Sequence, residues 1–461
     1  MRKAFRPGLL FFAAASFFVI INLPTPDGLS PEGLKALAIF FVCIFLWITH
    51  ALPLMITSLL AVILFPLTGV LSAATSYSLF GNQAIFFILG AFILASGMMR
   101  AGLSTRLALL ALRHFGKSPR FLLSGFLGLS AFLSFWMSAH AVAAMMFPIV
   151  LEVVDALRLT PLQSRYGKGL FLAMTWGCIV GGITTFLGGA RAPLALGILQ
   201  QSSGFSIDFM HWSLAALPTV VLLIVIAYFV LIKLFSPEVS DIRVAQRVLS
   251  RKAQKMGRVT RREQLIGGLM VLTIICWIAW GNVIGLATIA IASVVVAFIL
   301  KLLDWKEVEE DVNWGVFLMY GGAICLGFAM EMTGAAHWLA ERTIGTFIQS
   351  PWAFVMVMSL LSLLLTEAIS NTAVVAFMMP LALAIAADFS VDPRVVALAI
   401  TIPTGLAFQL PMGTPATALA ISSGYVGLRD TIIGGAIMNL VAWVVFLLIA
   451  YFYWPLIGFK I

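Results

Sequence analysis

The sequence has 461 residues, of which 62% are hydrophobic and only 10% charged, and its mean hydropathy is +1.07. This lies far outside the range of soluble domains, so the chain reads as an all-α polytopic membrane protein in the cell membrane, in contact with lipid on most sides. The formal charge of +9 falls in short loops between apolar runs, where it sets orientation and gives no case for nucleic-acid binding.

Arg2, Lys3 and Arg6 precede an apolar run at 8–23, which reads as a retained first helix with a cytoplasmic N-terminus, because many further spans follow. Spans are expected at 33–50, 54–71 and 83–100. The stretch STRLALLALRHFGKSPR then sets Arg106, Arg113, Lys117 and Arg120 beside regularly spaced leucines, the pattern of an amphipathic helix lying in the cytoplasmic interface. Residues 121–157 carry basic residues at both ends, so both ends face the cytoplasm. Two short spans would satisfy those charges equally well. We favour a re-entrant hairpin opening inward with Ser138 at its tip, since irregular polar backbone is tolerated at membrane depth only inside protein. Residues 169–199 form a span interrupted by GGITTFLGGARAP, whose glycines, threonines and proline free backbone groups to line a site. A span at 214–233 completes a first half, 1–235, and the Arg- and Lys-rich loop 236–263 is cytoplasmic.

The second half, 264–461, repeats the plan. Spans at 264–281, 285–303 and 315–333 lead to a hairpin over 351–387, a broken span over 395–427 containing AFQLPMGTPATALAISSG, and a last span at 432–453. The second hairpin has no basic excess at its ends and is expected to open outward. Two halves of opposite orientation are the inverted-topology plan of secondary transporters, with the site between the repeats.

The polar triplet Ser370-Asn371-Thr372 stands in the apolar segment LLSLLLTEAISNTAVVAFMMPLALAIA. Unpaired amides and hydroxyls in hydrocarbon each cost several kcal/mol, so three in a row point to a small ligand or ion held at membrane depth. The triplet has a counterpart. LSFWMSAHAVAAMMFPIV aligns without gaps on LTEAISNTAVVAFMMPLA at a constant offset of 232 residues, the separation of Ser138 and Ser370. Carried back to Gly90, the same offset gives roughly a third identity, well above chance for two apolar segments, so the chain is an internal duplication. The two helix breaks also correspond, with Gly413-Thr414-Pro415 falling where the first half has Gly188-Gly189-Ala190.

The Ser-Asn-Thr tip followed by Pro380, the Gly-Thr-Pro break and the lead-in DWKEVEEDVNWGVFLMYGGAICLGF resemble the divalent anion/sodium symporter family over nearly the whole chain. That resemblance implies eleven spans with two re-entrant hairpins, a homodimer and an elevator-type movement. It implies a carboxylate or sulfate substrate met by Ser370, Asn371 and Thr372, joined by Thr414 and Pro415. It also implies a candidate sodium site at Thr366, the carbonyl of Ile369, Asn371 and Gly413; sodium is the one cofactor in view. The first half departs from the pattern. Ser138-Ala139-His140 replaces Ser-Asn-Thr, and Gly188-Gly189-Ala190-Arg191 replaces the second-half type of break, leaving Ser134 and Gly188 as a degenerate first sodium site. Alanine cannot supply the lost amide oxygen, and a guanidinium repels sodium while pairing well with carboxylates.

Arg191, with His140, is therefore expected to replace the first sodium as the charge balancing the anion. A fixed charge of this kind favours a sodium-independent exchanger of di- or tricarboxylate-type anions; the alternative is a sodium-coupled dicarboxylate or sulfate symporter using the second site. Blander readings stand beside these: Arg191 snorkelling to an interface, His140 as a hydrogen-bonded core residue, and Glu367 either carrying protons or bracing the hairpin through backbone hydrogen bonds. Cys43, Cys178, Cys276 and Cys325 have no metal-like spacing. No nucleophile-and-base motif is present, so the chain is not expected to be an enzyme. A channel would need a continuous polar pore in place of two half-depth hairpins.

Overall fold

A computed structural model describes residues 7–115, 117–345, 348 and 350–460. Arg2, Lys3 and Arg6, on which the N-terminal orientation rests, lie outside the described residues. The first part of the chain runs α1 (Pro7–Ile21), α2 (Pro31–Thr49), α3 (Leu54–Leu67), α4 (Ala73–Ser78), α5 (Gln83–Arg100), α6 (Leu103–Phe115), α7 (Pro119–Leu133), α8 (Ala139–Ala156), α9 (Arg165–Gly181), α10 (Arg191–Ser203) and α11 (Phe209–Leu234). It continues as α12 (Arg243–Lys255), α13 (Arg261–Ile284), α14 (Leu286–Ile299), α15 (Trp305–Asp311), α16 (Trp314–Met332), α17 (Ala335–Ala340), α18 (Pro351–Ala368), α19 (Asn371–Ala386), α20 (Pro393–Thr404), α21 (Pro415–Ser422) and α22 (Leu428–Phe452). Among the described residues, nine helices are long and apolar enough to cross a membrane, and shorter apolar helices such as α3, α7, α14 and α20 fill out the bundle.

Local chemistry starts these helices at equivalent places. Ser118 and Ser350 each accept a hydrogen bond from the backbone three residues on, at 3.2 and 3.1 Å, with Pro119 and Pro351 in the first turn. The offset of the sequence repeat reappears in the elements: α3 and α14 are both 14 residues long and begin at Leu54 and Leu286.

Packing exchanges partners between the halves. α3 lies along α16, and α14, the counterpart of α3, lies along α5. Glycines permit both contacts: a methyl group on Gly90 would sit 2.7 Å from Ala290 Cβ, and one on Gly322 would sit 2.4 Å from Ser58 Cβ. Gly90 corresponds to Gly322 and Ser58 to Ala290 at the repeat offset, so one close approach is built twice with the halves interchanged.

The polar segments differ from the sequence expectation in two places. The 236–263 loop contains the helix α12, because Ala245 and Leu249 recur at helical spacing and bury against α6 and α8 while the arginines and lysines turn outward. Arg106 on α6 does not face lipid headgroups. It is buried, donating from Nε to Glu263 Oε1 at 2.7 Å and from its Nη atoms to the carbonyls of Gly257 at 2.8 Å and Met256 at 3.0 Å. Five donors in a fixed fork can satisfy an ion pair and several carbonyls together, which leucine-like spacing does not reveal.

Candidate functional site

A cavity of about 790 Å³ is walled by the α7–α8 turn, the α9–α10 break, the α18–α19 turn and the α20–α21 break. Ser138, His140, Gly188, Arg191, Ser370, Asn371, Thr372, Gly413, Thr414 and Pro415 all line it. Ser134, Thr366 and Ile369 stand behind the wall. Among the described residues, the hydroxyls of Ser130 and Ser134 are buried beside the Cys178 thiol without a full hydrogen bond.

The polarity of the cavity follows from helix direction. Residues of the first turns of α8, α10, α19 and α21 all line it, so four helix N-termini converge on one volume. Each carries backbone N–H groups and the positive end of a helix dipole, an arrangement that favours negative charge. The two hairpin tips nevertheless differ. Ser138 Oγ accepts from Ala141 N–H at 3.3 Å and closes its own helix, whereas Ser370 makes no side-chain cap on α19. The Ser370 hydroxyl is therefore not committed to the first turn of its own helix.

Arg191 enters from the first break. It is 6% exposed and donates from Nη2 to the carbonyl of Gly182, the C-cap of α9, at 2.6 Å. A side chain at either neighbouring glycine would occupy its place: a Cβ on Gly189 would lie 2.5 Å from Nη1, and one on Gly405 would lie 2.5 Å from Nη2. Gly405 is the C-cap of α20, so the guanidinium sits where the C-terminal ends of two broken helices meet, the place a bound cation would favour. Among the described residues it is buried and has no carboxylate partner. His140 is exposed to the cavity, in keeping with a ligand-facing residue and not a packed core histidine.

Behind Asn371, three oxygens crowd together. Thr366 Oγ1 lies 2.7 Å from Asn371 Oδ1 and 2.9 Å from the Thr404 carbonyl oxygen, two acceptors competing for one hydroxyl proton. The carbonyl of Thr366 approaches Gly413 so closely that a Cβ there would be 2.9 Å away. Oxygens in excess of protons, at the C-terminal ends of α18 and α20, fit a small hard cation. Thr404 was not legible in sequence because a main-chain carbonyl leaves no side-chain signature. Glu367 braces the second break: its two oxygens accept from the N–H groups of Phe408 at 2.8 Å, Gln409 at 3.1 Å and Leu410 at 2.8 Å, and from Asn439 Nδ2 at 2.7 Å. At the cavity mouth, Asp311 accepts from Ser96 Oγ at 2.6 Å and from Arg100 through both carboxylate oxygens, at 2.8 and 2.7 Å.

This helical frame and its paired turns match a known pattern: the family model described as the sodium:sulfate symporter transmembrane region covers residues 8–459. The chain belongs to that family. It is a membrane transporter and not an enzyme. The sodium-dependent dicarboxylate transporter SdcS of Staphylococcus saprophyticus is 29% identical over 465 residues, covering 95% of this chain and 89% of its own. SdcS of Staphylococcus aureus is 29% identical over 476 residues, covering 97% and 90%. Among solved structures, the Neisseria gonorrhoeae MtrF transporter, described as illuminating a class of antimetabolite efflux pumps, superposes with a TM-score of 0.60 at 14% identity over 96% of this chain and 97% of its own. The Alcanivorax borkumensis YdaH transporter gives 0.54 at 14% identity, over 83% and 88%. These two likenesses are of fold alone.

Proposed function

We propose that the protein is a sodium-coupled transporter of a small dicarboxylate-class anion, using one sodium beside the second hairpin tip and the fixed charge of Arg191 beside the first. The observation that carries this reading is the Thr366–Asn371–Thr404 oxygen cluster directly behind an anion-favouring cavity. Sodium there would be held by Thr366 Oγ1, Asn371 Oδ1 and the Thr404 carbonyl. It would supply positive charge to the rear of the tip and hold Asn371 so that its amide N–H groups face the cavity. Ser370, Thr372 and the α19 N-terminus would then take one carboxylate. Arg191, His140 and the N-terminus of α10 would take the other.

The sodium-independent exchange expected from Arg191 has less support. The relatives are named for sodium dependence, and the second-half cluster has the donor set to retain it. In the same reading the two halves work as inverted repeats, the chain forms a homodimer in the cell membrane, and the hairpins and broken helices move together as an elevator. The cavity opens beside α6 and α15, on the side of the basic helix α12, which the positive-inside rule puts in the cytoplasm.

The test is uptake of labelled succinate into proteoliposomes in sodium or choline buffer, each with and without internal succinate. Sodium-dependent uptake into empty vesicles is expected. Uptake that ignores sodium and requires internal anion would overturn the reading in favour of exchange.

A further inference from the structure

Between α11 and α13 the chain makes only a short excursion from the membrane. Eight residues, 235–242, lead from α11 to α12, and five, 256–260, lead from α12 to α13. Five linking residues reach at most about 20 Å, so α12 stays close to the start of a helix fit to span the bilayer. Its C-terminal end is pinned more closely still. Arg106 on α6 donates from its Nη atoms to the carbonyls of Met256 at 3.0 Å, Gly257 at 2.8 Å and Arg258 at 3.3 Å, and pairs with Glu263 in the first turn of α13. One face of α12 is committed to the protein: Ala245 and Leu249 are buried against α6 and α8, and Lys252 pairs with Glu152 of α8.

The other face has no protein to cover it. At 100° per residue, Val244, Arg247, Arg251 and Lys255 fall within about 80° of one another, on a ridge about 140° round the helix from the Ala245–Leu249 seam. All four are exposed, and Arg258, Val259 and Arg261, exposed as well, follow in the turn into α13. Among the described residues, none of Arg247, Arg251, Lys255, Arg258 and Arg261 enters an ion pair. The acidic residues of the excursion are already engaged: Asp241 pairs with Arg243 at 2.8 Å, and Glu238 accepts from the Tyr166 N–H at 2.8 Å. Topology alone requires a count of positive residues near a span, not their collection on one face. Charges collected in this way, with Val244 44% and Val259 47% exposed among them, match a partner that is negative and has an apolar interior close beneath. An anionic bilayer surface is such a partner, and it lies within reach of α12.

We propose that this ridge docks on anionic phospholipid headgroups of the cytoplasmic leaflet, so that α12 straps α6 and α8 to the membrane surface. The inference uses the cytoplasmic placement of α12 and holds whichever ion is coupled to transport.

The experiment titrates the detergent-purified full chain with short-chain phosphatidylglycerol, or with phosphatidylcholine of the same chain length, and reads the melting temperature. The variants are the triple change Arg247→Gln, Arg251→Gln and Lys255→Gln, and the charge-keeping pair Arg247→Lys and Arg251→Lys. Wild type is expected to melt higher with phosphatidylglycerol and not with phosphatidylcholine, because a ligand of the folded state raises its stability. Each basic side chain near an anionic surface is worth about a fivefold factor in binding, so the triple variant should need roughly a hundredfold more phosphatidylglycerol for the same rise, while the lysine pair responds like wild type. Should the triple variant fold poorly, Arg251→Gln alone carries the test with an expected shift of about fivefold. Salt at about 1 M, which shortens the screening length to about 3 Å, should suppress the wild-type response. An equal response of wild type and the glutamine variants, or an equal response to the two lipids, overturns the proposal. So does protection by soluble polyglutamate with none by phosphatidylglycerol, which would give the ridge to an acidic protein.

Discussion

Replacing Glu367 by glutamine separates its two readings, since the change keeps volume and removes charge. In the structure one carboxylate oxygen accepts from Phe408 N–H at 2.8 Å and Asn439 Nδ2 at 2.7 Å, and the other from Leu410 N–H at 2.8 Å, with Gln409 N–H shared at 3.1 Å. Glutamine supplies one acceptor oxygen and turns an NH2 group toward the donors formerly served by the second. The Leu410 N–H group then faces another donor in a buried break, at a cost of about 1–3 kcal/mol, while the Gln409 N–H keeps the remaining oxygen. That is a sizeable share of the about 5–15 kcal/mol that holds a typical domain. Melting of the detergent-purified protein, followed by dye-free fluorescence, should fall by several degrees or more, and the remaining folded fraction should show an unaltered pH profile of uptake. A variant as stable as wild type whose uptake has lost its pH dependence would refute bracing and restore a proton-carrying role.

Asn371→Ala should raise the sodium concentration for half-maximal uptake at least roughly tenfold by removing one of three clustered oxygens; an unchanged sodium titration would remove Asn371 from the cation site. Gly405→Ala places a methyl group 2.5 Å from Arg191 Nη2 and should raise the succinate KM roughly tenfold, as measured by initial rates, while a wild-type KM would show that Arg191 has room to spare. Arg106→Met leaves Glu263 buried without its partner and should cost about 3–5 kcal/mol, seen as a fall in melting temperature that Glu263→Gln in the same chain partly reverses. Hydrogen bonds from Arg100 hold the Asp311 carboxyl below the usual carboxylate range, partly against burial. Its stabilising tie is therefore complete above the unfolded value of about 3.9 and is lost only as pH falls through the depressed folded value. Asp311→Asn should lower the melting temperature equally from about pH 8 to about pH 5, and equal melting of variant and wild type at neutral pH would discount the tie.

Much of the bundle was legible because apolar runs in a bilayer have few alternatives to helix. α5 occupies the expected 83–100, and the turns at Ser138 and Ser370 fall at the polar triplets. Polar side chains that line the cavity, such as Arg191, His140, Asn371 and Thr372, were visible for the same reason: polarity in hydrocarbon is costly and therefore conspicuous. What stayed hidden works through the main chain or across long separations. The Thr404 and Gly182 carbonyls carry no residue signature. Leu249 and Ala245 were masked by the basic residues around them, so α12 read as loop. Arg106 was assigned to the interface because its buried partner, Glu263, stands 157 residues away.

The interchange of α3 and α14 between the halves bears on how the carrier is made. When α3 emerges from the ribosome its principal neighbour, α16, has not been synthesised, and roughly 250 further residues at about 5–20 residues per second leave it waiting about 12–50 seconds. Through that interval the face of α3 around Ser58 and the groove at Gly90 on α5 have only lipid or the insertion machinery to cover them. The amino-terminal half is thus a dependent intermediate in biogenesis, and a chain released after α11 would retain two open seams awaiting a partner in the membrane.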